Sequence, residues 1–312
     1  MIAALNVGIA LLVIGLAVWT VVARDAFAAT IGFVAYGLLL ALAWAALRGI
    51  DVALTEAAIG GGLTGVLMIR AAAKLRRTEA ASNAERPGLP TRLAAAIAAA
   101  AVTGALAFVV LRAAGPAPTL APEVATHIDA TGVGNPITAV LLAFRAMDTL
   151  LEAIVLLFAL IGVWSLAPDR FWCGRPGPRY GTDPHGILAY LARLLPPIGI
   201  IVGAYIFWIG ADLPGGKFQG ATILAAMWLL AMMAGFADAP PISRRWLRVA
   251  LVAGPAVFIA IGALGAAIGA AFFGYPEGFA KPLILVIEIA LLPSLALTLG
   301  LMMAGAPERT AT

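Results

Sequence analysis

Long apolar segments recur nine times along this chain, and each is long enough to cross a hydrocarbon core of about 30 Å. They lie at residues 2–23, 27–48, 51–72, 92–112, 137–165, 187–210, 218–236, 246–273 and 280–304. Charged residues make up only 12% of the 312 residues, whereas soluble domains carry roughly 25%. The sequence therefore predicts an all-α fold, a polytopic bundle of about nine transmembrane helices with the lipid bilayer as its solvent.

The loops between these segments differ in charge. Arginine and lysine concentrate in residues 70–92, 166–186 and 238–248, whereas residues 113–136 contain neither. Cytoplasmic loops of membrane proteins carry an excess of Lys and Arg. The three basic loops are therefore predicted to be cytoplasmic. The predicted location is the cell (inner) membrane. With nine spans, the N-terminus lies outside the cell and the C-terminus lies in the cytoplasm.

Several functional classes are disfavoured by composition. Cys173 is the single cysteine, which excludes an intramolecular disulfide and cysteine-based zinc or iron–sulfur sites. His127 and His185 lie in separate loops, so no metal site is expected. The net charge of +4 is spread over short loops, which argues against nucleic acid as a partner. No nucleophile–base arrangement or cofactor motif is present, so we expect neither enzymatic activity nor a cofactor.

The fifth segment carries the most informative charges. A charge at mid-bilayer costs at least about 2.5–3.5 kcal/mol on insertion scales, so it is usually buried and functional. Arg145, Asp148 and Glu152 are spaced i, i+3, i+7 and share one helix face. We expect Arg145 to pair with Asp148, leaving Glu152 deeper as a proton-exchanging carboxylate, and both acids are candidates for an ion path. A purely structural ion pair is the open alternative.

A second group of charges surrounds the turn into the third segment. Asp51 lies at a predicted helix N-terminus, where it is expected to act as a cap or dipole partner. Arg48, three residues earlier, is a candidate charge partner. Glu56 lies more than one turn further into the segment and is a further ion-path candidate.

Glu288 stands alone in the last segment and needs a partner from another helix or another chain. A proton-relay role and an interface hydrogen bond are both open. The lysines Lys74, Lys217 and Lys281 all fall at loop or segment ends, so the chain lacks the central lysine of many proton-pumping modules. We interpret it as an accessory half-channel. The run Pro214-Gly215-Gly216 predicts a tight inter-helix turn.

The motif Asp51-Val52-Ala53-Leu54-Thr55-Glu56-Ala57, preceded by Arg24-Asp25-Ala26-Phe27, resembles a three-helix domain of multisubunit Mrp-type Na+/H+ antiporters and membrane-bound hydrogenases. In that family it forms the D subunit of the hydrogenase and part of the C-terminal region of the large A subunit of the antiporter.

The fifth segment is similar to the element that follows in the same family, where a D-F-R-G-F-D-T-x-G-E pattern is usual. The chain keeps Arg145, Asp148 and Glu152 and departs from the pattern at Ala143, Ala146, Met147 and Leu151. Residues 186 to about 304 resemble the B subunit of the antiporter. The matching residues there are Arg193, Pro214-Gly215-Gly216, Phe218, Gly220 and the acid Glu288.

The resemblance implies three fused units: a three-helix D-like domain at 1–78, a linker with a two-helix E-like element at 79–183, and a four-helix B-like domain at 184–312. It implies an accessory subunit of a cation- or proton-translocating complex related to respiratory complex I. The implied partners are Na+ or H+ and other membrane subunits, including a large antiporter-like one. The alternative is a structural membrane scaffold for a respiratory, hydrogenase or solute-uptake complex.

Overall fold

The fold is a bundle of long apolar helices. The computed structural model describes residues 2–82, 88–113, 115, 119–181, 183–268 and 271–311. Within these ranges, eight helices are long and apolar enough to cross a membrane, and a shorter apolar helix covers Lys217–Met233. The predicted polytopic all-α fold with about nine spans is confirmed. Arg86, in the basic loop at 70–92, lies outside the described residues.

The α-helices of the N-terminal half are α1 (Ile2–Val22), α2 (Ala26–Ala46), α3 (Ile50–Thr55), α4 (Thr64–Ser82), α5 (Leu89–Arg112), α6 (Ala121–His127), α7 (Pro136–Ala139) and α8 (Ala146–Ser165). The C-terminal half adds further helices and a two-stranded antiparallel ribbon. These are β1 (Arg175–Pro176), α9 (Ile187–Ile209), α10 (Lys217–Met233), α11 (Arg245–Ala267), α12 (Ala280–Ala304) and β2 (Pro307–Arg309).

Two spans are interrupted by π-helical segments. Glu56–Leu63 joins α3 to α4, and Val140–Phe144 joins α7 to α8. The second segment ends where Arg145 leaves helical geometry at φ −132° and ψ 39°. Wide π turns inside α-helices are rare and are frequent at functional sites. Here the hydroxyls of Tyr275 and Thr149 donate to the Leu142 and Leu141 carbonyls, each at 2.6 Å.

The core lies around α12, which packs against α8, α10 and α11. It is the most buried of the candidate spans among the described residues. Leu291 packs close to Gly254 of α11, and Ser294 donates a hydrogen bond across to the Leu251 carbonyl at 2.6 Å. Lipid tails are as apolar as these side chains, so helix association depends on close packing and such hydrogen bonds.

The N-terminal helices α1, α2 and α4 pack on one another and are called here the N-terminal layer. α1 packs on α2, and α2 packs on α4 and the first π-helical segment. Gly37 of α2 faces Gly61 so closely that a Cβ at Gly37 would lie 2.9 Å from the Gly61 Cα. By contrast, α5 has no buried residue.

One end of the bundle, called here the Arg309 end, is tied by the C-terminal ribbon. β1 pairs with β2, and the Arg309 guanidinium contacts the Asp238 carboxylate at 2.5 Å. The hydrogen bond from Arg309 holds the pKa of Asp238 below its ordinary value. Arg70 of α4 donates to the Met303 carbonyl, so the N-terminal layer is joined to the end of α12.

The predicted ends of the third, seventh and eighth segments are wrong. The third segment is predicted to end at residue 72, but α4 continues to Ser82. The sequence predicts that the eighth segment continues to residue 273, but α11 ends at Ala267 and the chain turns back so that Phe273 packs over Gly262. Apolar residues of a returning loop extend the hydropathy signal without extending the helix. The seventh helix ends at Met233 rather than at residue 236.

The Gly37–Gly61 contact generates a stability prediction. Gly37→Ala puts a methyl group against the Gly61 backbone, so we expect the free energy of unfolding to fall by about 1–3 kcal/mol, measured by thermal unfolding in detergent. Gly15→Ala is the matched control, since nothing lies within 4 Å of that Cβ and Ala favours a helix by about 1 kcal/mol over Gly. Equal stability of the two variants would contradict the close approach.

Candidate functional site

A cavity of about 250 Å³ lies between the start of α3, the α7–α8 span, the start of α10 and the middle of α12. Its polar lining comes from all three of the predicted units. The side chains are Asp51, Thr55, Thr138, Glu152, Lys217, Gln219 and Glu288. At roughly 30 Å³ per water molecule, a space of this size has room for several waters.

Lys217 and Glu288 form the buried centre of the site. The Lys217 Nζ lies 3.8 Å from Glu288 Oε1, and the two side chains are only 4% and 2% exposed. This separation allows strong attraction but is too long for a direct hydrogen bond. Glu288 Oε2 is buried and has no hydrogen-bond partner among the described residues. The isolated position of Glu288 predicted a charged or polar partner, and that partner is Lys217 on another helix of the same chain.

The sequence misses the burial of Lys217, because the residue falls at a span end. Lys217 is indeed the first residue of α10, but Gly215 and Gly216 turn the chain inward at φ 151° and 134°. Such values are accessible to glycine and strained for other residues. The ammonium lies 5.3 Å from the Phe218 ring centroid. A lysine directly after two glycines at a helix start is the signal that could have found it.

Glu152 lies at the side of the cavity, on the outward face of α8. It lines the cavity together with Lys217 and Glu288, but it is an exposed residue of this chain. Glu152 is therefore not buried within this chain, contrary to the expectation, although it faces the same cavity as Glu288 of α12. Glu152 instead forms a lateral mouth of the cavity.

Asp51 joins the three units at one corner of the cavity. Its Oδ1 accepts from the Gly215 amide at 3.0 Å and from Asn135 Nδ2 at 3.2 Å. Gln219 Nε2 donates to Thr55 one turn further along, at 2.9 Å. Of the two roles expected for Asp51, the cap is wrong, because Gly49 holds the cap position of α3 without a side-chain hydrogen bond; Asp51 does lie in the first turn of α3, where a dipole partner is expected. The Asp51 carboxylate accepts hydrogen bonds from other segments of the chain.

The loop above the cavity is held by a second carboxylate, and this end of the bundle is called the Asp212 end. Asp212 contacts the Lys281 ammonium at 2.7 Å and accepts from the Gly134 amide at 3.0 Å. The hydrogen bond from Lys281 holds the pKa of Asp212 below its ordinary value of 3.8. This stabilisation is present above pH 3.8 and is lost as the pH falls through the lowered pKa.

Of the other predicted residues, Gly215 and Gly216 line the cavity, whereas Arg48, Glu56, Arg145, Asp148 and Pro214 do not. Arg145 and Asp148 pair at 2.5 Å, as their spacing predicted, with side chains 68% and 51% exposed. Glu56 begins the first π-helical segment, with its carboxylate folded against Gly60. Arg48 is exposed in the α2–α3 turn and makes no ion pair with Asp51. The run Pro214-Gly215-Gly216 forms the predicted turn between α9 and α10.

Two sequence families match separate parts of the chain. Residues 11–77 match the family MbhD, described as the D subunit of MBH, and residues 187–306 match the domain related to the MnhB subunit of Na+/H+ antiporters. These two matches support a resemblance to the Mrp-type antiporter family. The resemblance noted in the motifs around Glu56 and Pro214 is thereby confirmed.

A curated relative and two solved structures are also similar to this chain. The probable K+/H+ antiporter A/B subunit of Rhizobium meliloti (strain 1021) is 28% identical over 169 residues, which cover 46% of this chain and 16% of the relative. The Mrp complex from Dietzia sp. DQ12-45-1b has a chain with the same fold, at a TM-score of 0.74 and 21% identity. The match covers 97% of this chain and 35% of that chain.

The second solved structure is the membrane-bound sulfane sulfur reductase, an archaeal respiratory membrane complex. It matches at a TM-score of 0.54 and 26% identity, over 69% of this chain and 99% of that chain. The chain thus spans only a small part of the length of its curated relative.

The Asp51 contacts generate the second prediction. Asp51→Ala removes the acceptor of the Gly215 amide and leaves that group unpaired, so we expect a loss of about 1–3 kcal/mol in the free energy of unfolding. Asp51→Asn keeps an acceptor oxygen and should lose less. The exposed Asp129→Ala is the control. Thermal unfolding in detergent measures all three, and an Asp51→Ala protein as stable as the control would show that the inter-segment bond is unimportant.

Proposed function

We propose that this chain is an accessory membrane subunit of an Mrp-like complex and contributes the Lys217–Glu288 couple and Glu152 to a cation or proton path. The single observation that carries the proposal is the buried couple facing the cavity, with one oxygen of Glu288 unpartnered within the described part of the chain. Intramembrane ionisable groups are costly and typically belong to ion pathways.

The chemistry of the couple supports proton exchange. An ammonium beside a carboxylate becomes a neutral amine beside a carboxylic acid when one proton moves between them, and the two groups titrate together. Water in the cavity can bridge the gap of 3.8 Å that the two groups leave open. Glu152, at the lateral mouth, is the group that meets a proton or cation arriving from outside the cavity.

The proposal extends to the organisation and setting of the chain. We assign the D-like unit to residues 1–78, the E-like element with its linker to 79–183 and the B-like unit to 184–312. The partners proposed are Na+ or H+ and other membrane subunits, including a large antiporter-like one. The setting proposed is the cell membrane, with the N-terminus outside and the C-terminus cytoplasmic. No catalytic activity is proposed for the chain itself.

The second candidate function is a structural scaffold. It is favoured by the same pair, because an ion pair fixed permanently between α10 and α12 would lock two helices together without carrying ions. Breaking a buried pair by removing one partner is strongly destabilising. A single substitution therefore affects the protein under either hypothesis, and the discriminating variant must remove both charges.

We predict that Lys217→Gln/Glu288→Gln assembles normally but lowers cation-driven proton flux at least about tenfold, the effect of roughly 1.4 kcal/mol in a barrier. The double variant leaves no lone buried charge in this pair, so the complex should form. Flux is measured with a pH-sensitive dye in vesicles containing the purified complex, and is expressed per assembled complex.

Two further variants distinguish the ion-path function from the scaffold function. Asp129→Asn changes an exposed loop acid and should leave flux unaltered, whereas Glu152→Gln should reduce it. Full flux per complex in both the double variant and Glu152→Gln would remove these residues from the path. If the double variant then also assembles poorly, the scaffold function is the correct one.

A further inference from the structure

The buried carboxylate of the cavity, Glu288, already has a positive charge beside it. The Lys217 Nζ lies 3.8 Å from Glu288 Oε1, and both side chains are almost fully buried. Lys217 is also the first residue of α10, and a helix N-terminus carries a partial positive charge of about half a unit. The charge of Glu288 is therefore compensated from within the chain. The part of the cavity that Lys217 and Glu288 form is called here the inner end.

The other acids of the cavity do not join Glu288 in a metal site. Among the described residues that line the cavity, Lys217 is the only cation, and the acids besides Glu288 are Asp51 at a corner and Glu152 at the mouth. No group of three or more His, Cys, Asp or Glu residues in the described part of the chain is arranged to hold a metal ion. A metal ion at Glu288 would therefore lack the set of acidic ligands that could offset the ammonium.

Repulsion from the Lys217 ammonium opposes any metal cation at the inner end. An ion about 2.5 Å from a carboxylate oxygen of Glu288 would lie roughly 4–8 Å from the Lys217 Nζ. At an effective dielectric constant of about 20, two unit charges over this range weaken binding by roughly 30-fold to a thousandfold. Water carries no net charge and meets no such repulsion, so it can occupy the same space.

A proton reaches Glu288 by exchange of covalent bonds and needs no separate ion site. Oε2 of Glu288 is buried and has no hydrogen-bond partner among the described residues, so it is available to accept. As an N–H bond of the Lys217 ammonium breaks, an O–H bond forms on Glu288 through water, and the amine regains a proton from water at the Glu152 mouth. The carboxylic acid then releases its proton onward. One proton enters, one leaves, and the couple returns to its first state.

We propose that Lys217 makes the inner end of the cavity selective for protons, because its ammonium excludes Na+, K+ and other metal cations from Glu288. This inference rests on the proposed function and narrows the cation or proton path given there to protons at this couple. Metal cations reach at most the mouth of the cavity at Glu152.

The test is to remove the ammonium and to look for a metal site in its place. Lys217→Gln leaves the Glu288 carboxylate without its partner, so we expect Na+ and K+ to bind at least about 30-fold more tightly than to the wild-type chain. Binding to the purified chain is measured with radioactive Na+. It is also measured from the rise in unfolding temperature in NaCl or KCl relative to choline chloride of equal ionic strength. The affinities are compared at each pH between about 7 and 9.5, a range that includes the titration of buried glutamates.

Two controls assign the new affinity to Glu288. Lys281→Gln is the matched control, because it removes the ammonium of the exposed ion pair with Asp212 and should bind neither ion more tightly. The added affinity should also disappear from Lys217→Gln/Glu288→Gln. A folded Lys217→Gln chain that binds Na+ and K+ no better than the wild type at any pH in this range would overturn the proposal.

A second comparison needs no folded Lys217→Gln protein. At about pH 7, the wild-type chain and Lys217→Gln/Glu288→Gln should bind Na+ and K+ with equal affinity, because Glu288 offers no metal site while the ammonium is present. Tighter binding by the wild type would contradict the exclusion. Ion binding is measured on the separate chain and flux on the assembled complex. A couple that lies outside the ion path therefore fails the flux test and leaves these affinities unchanged.

Discussion

The architecture depends on keeping a lysine and a glutamate together inside an apolar bundle. Transfer of either charge alone from water into low-dielectric surroundings costs several kcal/mol, and the attraction between them offsets this only while they stay close. Lys217 and Glu288 meet this condition across two helices, α10 and α12, at 3.8 Å. Their positions therefore constrain how α10 starts, how α12 packs, and where a cavity can exist.

The start of α10 is set by contacts from the rest of the chain. Asp51 holds the Gly215 amide, and Asn135 reaches the carbonyls of Gly210 and Leu213. These bonds connect the three segments that the sequence motifs distinguish. Because the same contacts form a wall of the cavity, loosening them disturbs both stability and the geometry of Lys217. The hydrogen bonds that join the segments therefore also shape the polar site.

The sequence predicts features that depend on local pattern. Hydropathy identifies the spans, and the i, i+3 spacing predicts the Arg145–Asp148 pair. The partner of Asp51 could not be predicted in this way, because Gly215 is 164 positions away and a helix start offers an equally reasonable local role. Lys217 is overlooked for a similar reason: its burial depends on the fold of the glycine turn before it. Glu152 shares a helix face with Arg145, but only tertiary packing determines that this face points outward.

The central claim is that Glu288 exchanges a proton during ion movement. Infrared difference spectroscopy of the assembled complex in lipid, recorded as the cation concentration and pH are changed, measures this directly. The account predicts a carboxylic acid signal that changes with the cation and is absent from the Lys217→Gln/Glu288→Gln complex. A transporting complex whose Glu288 signal never changes over the whole range would contradict it.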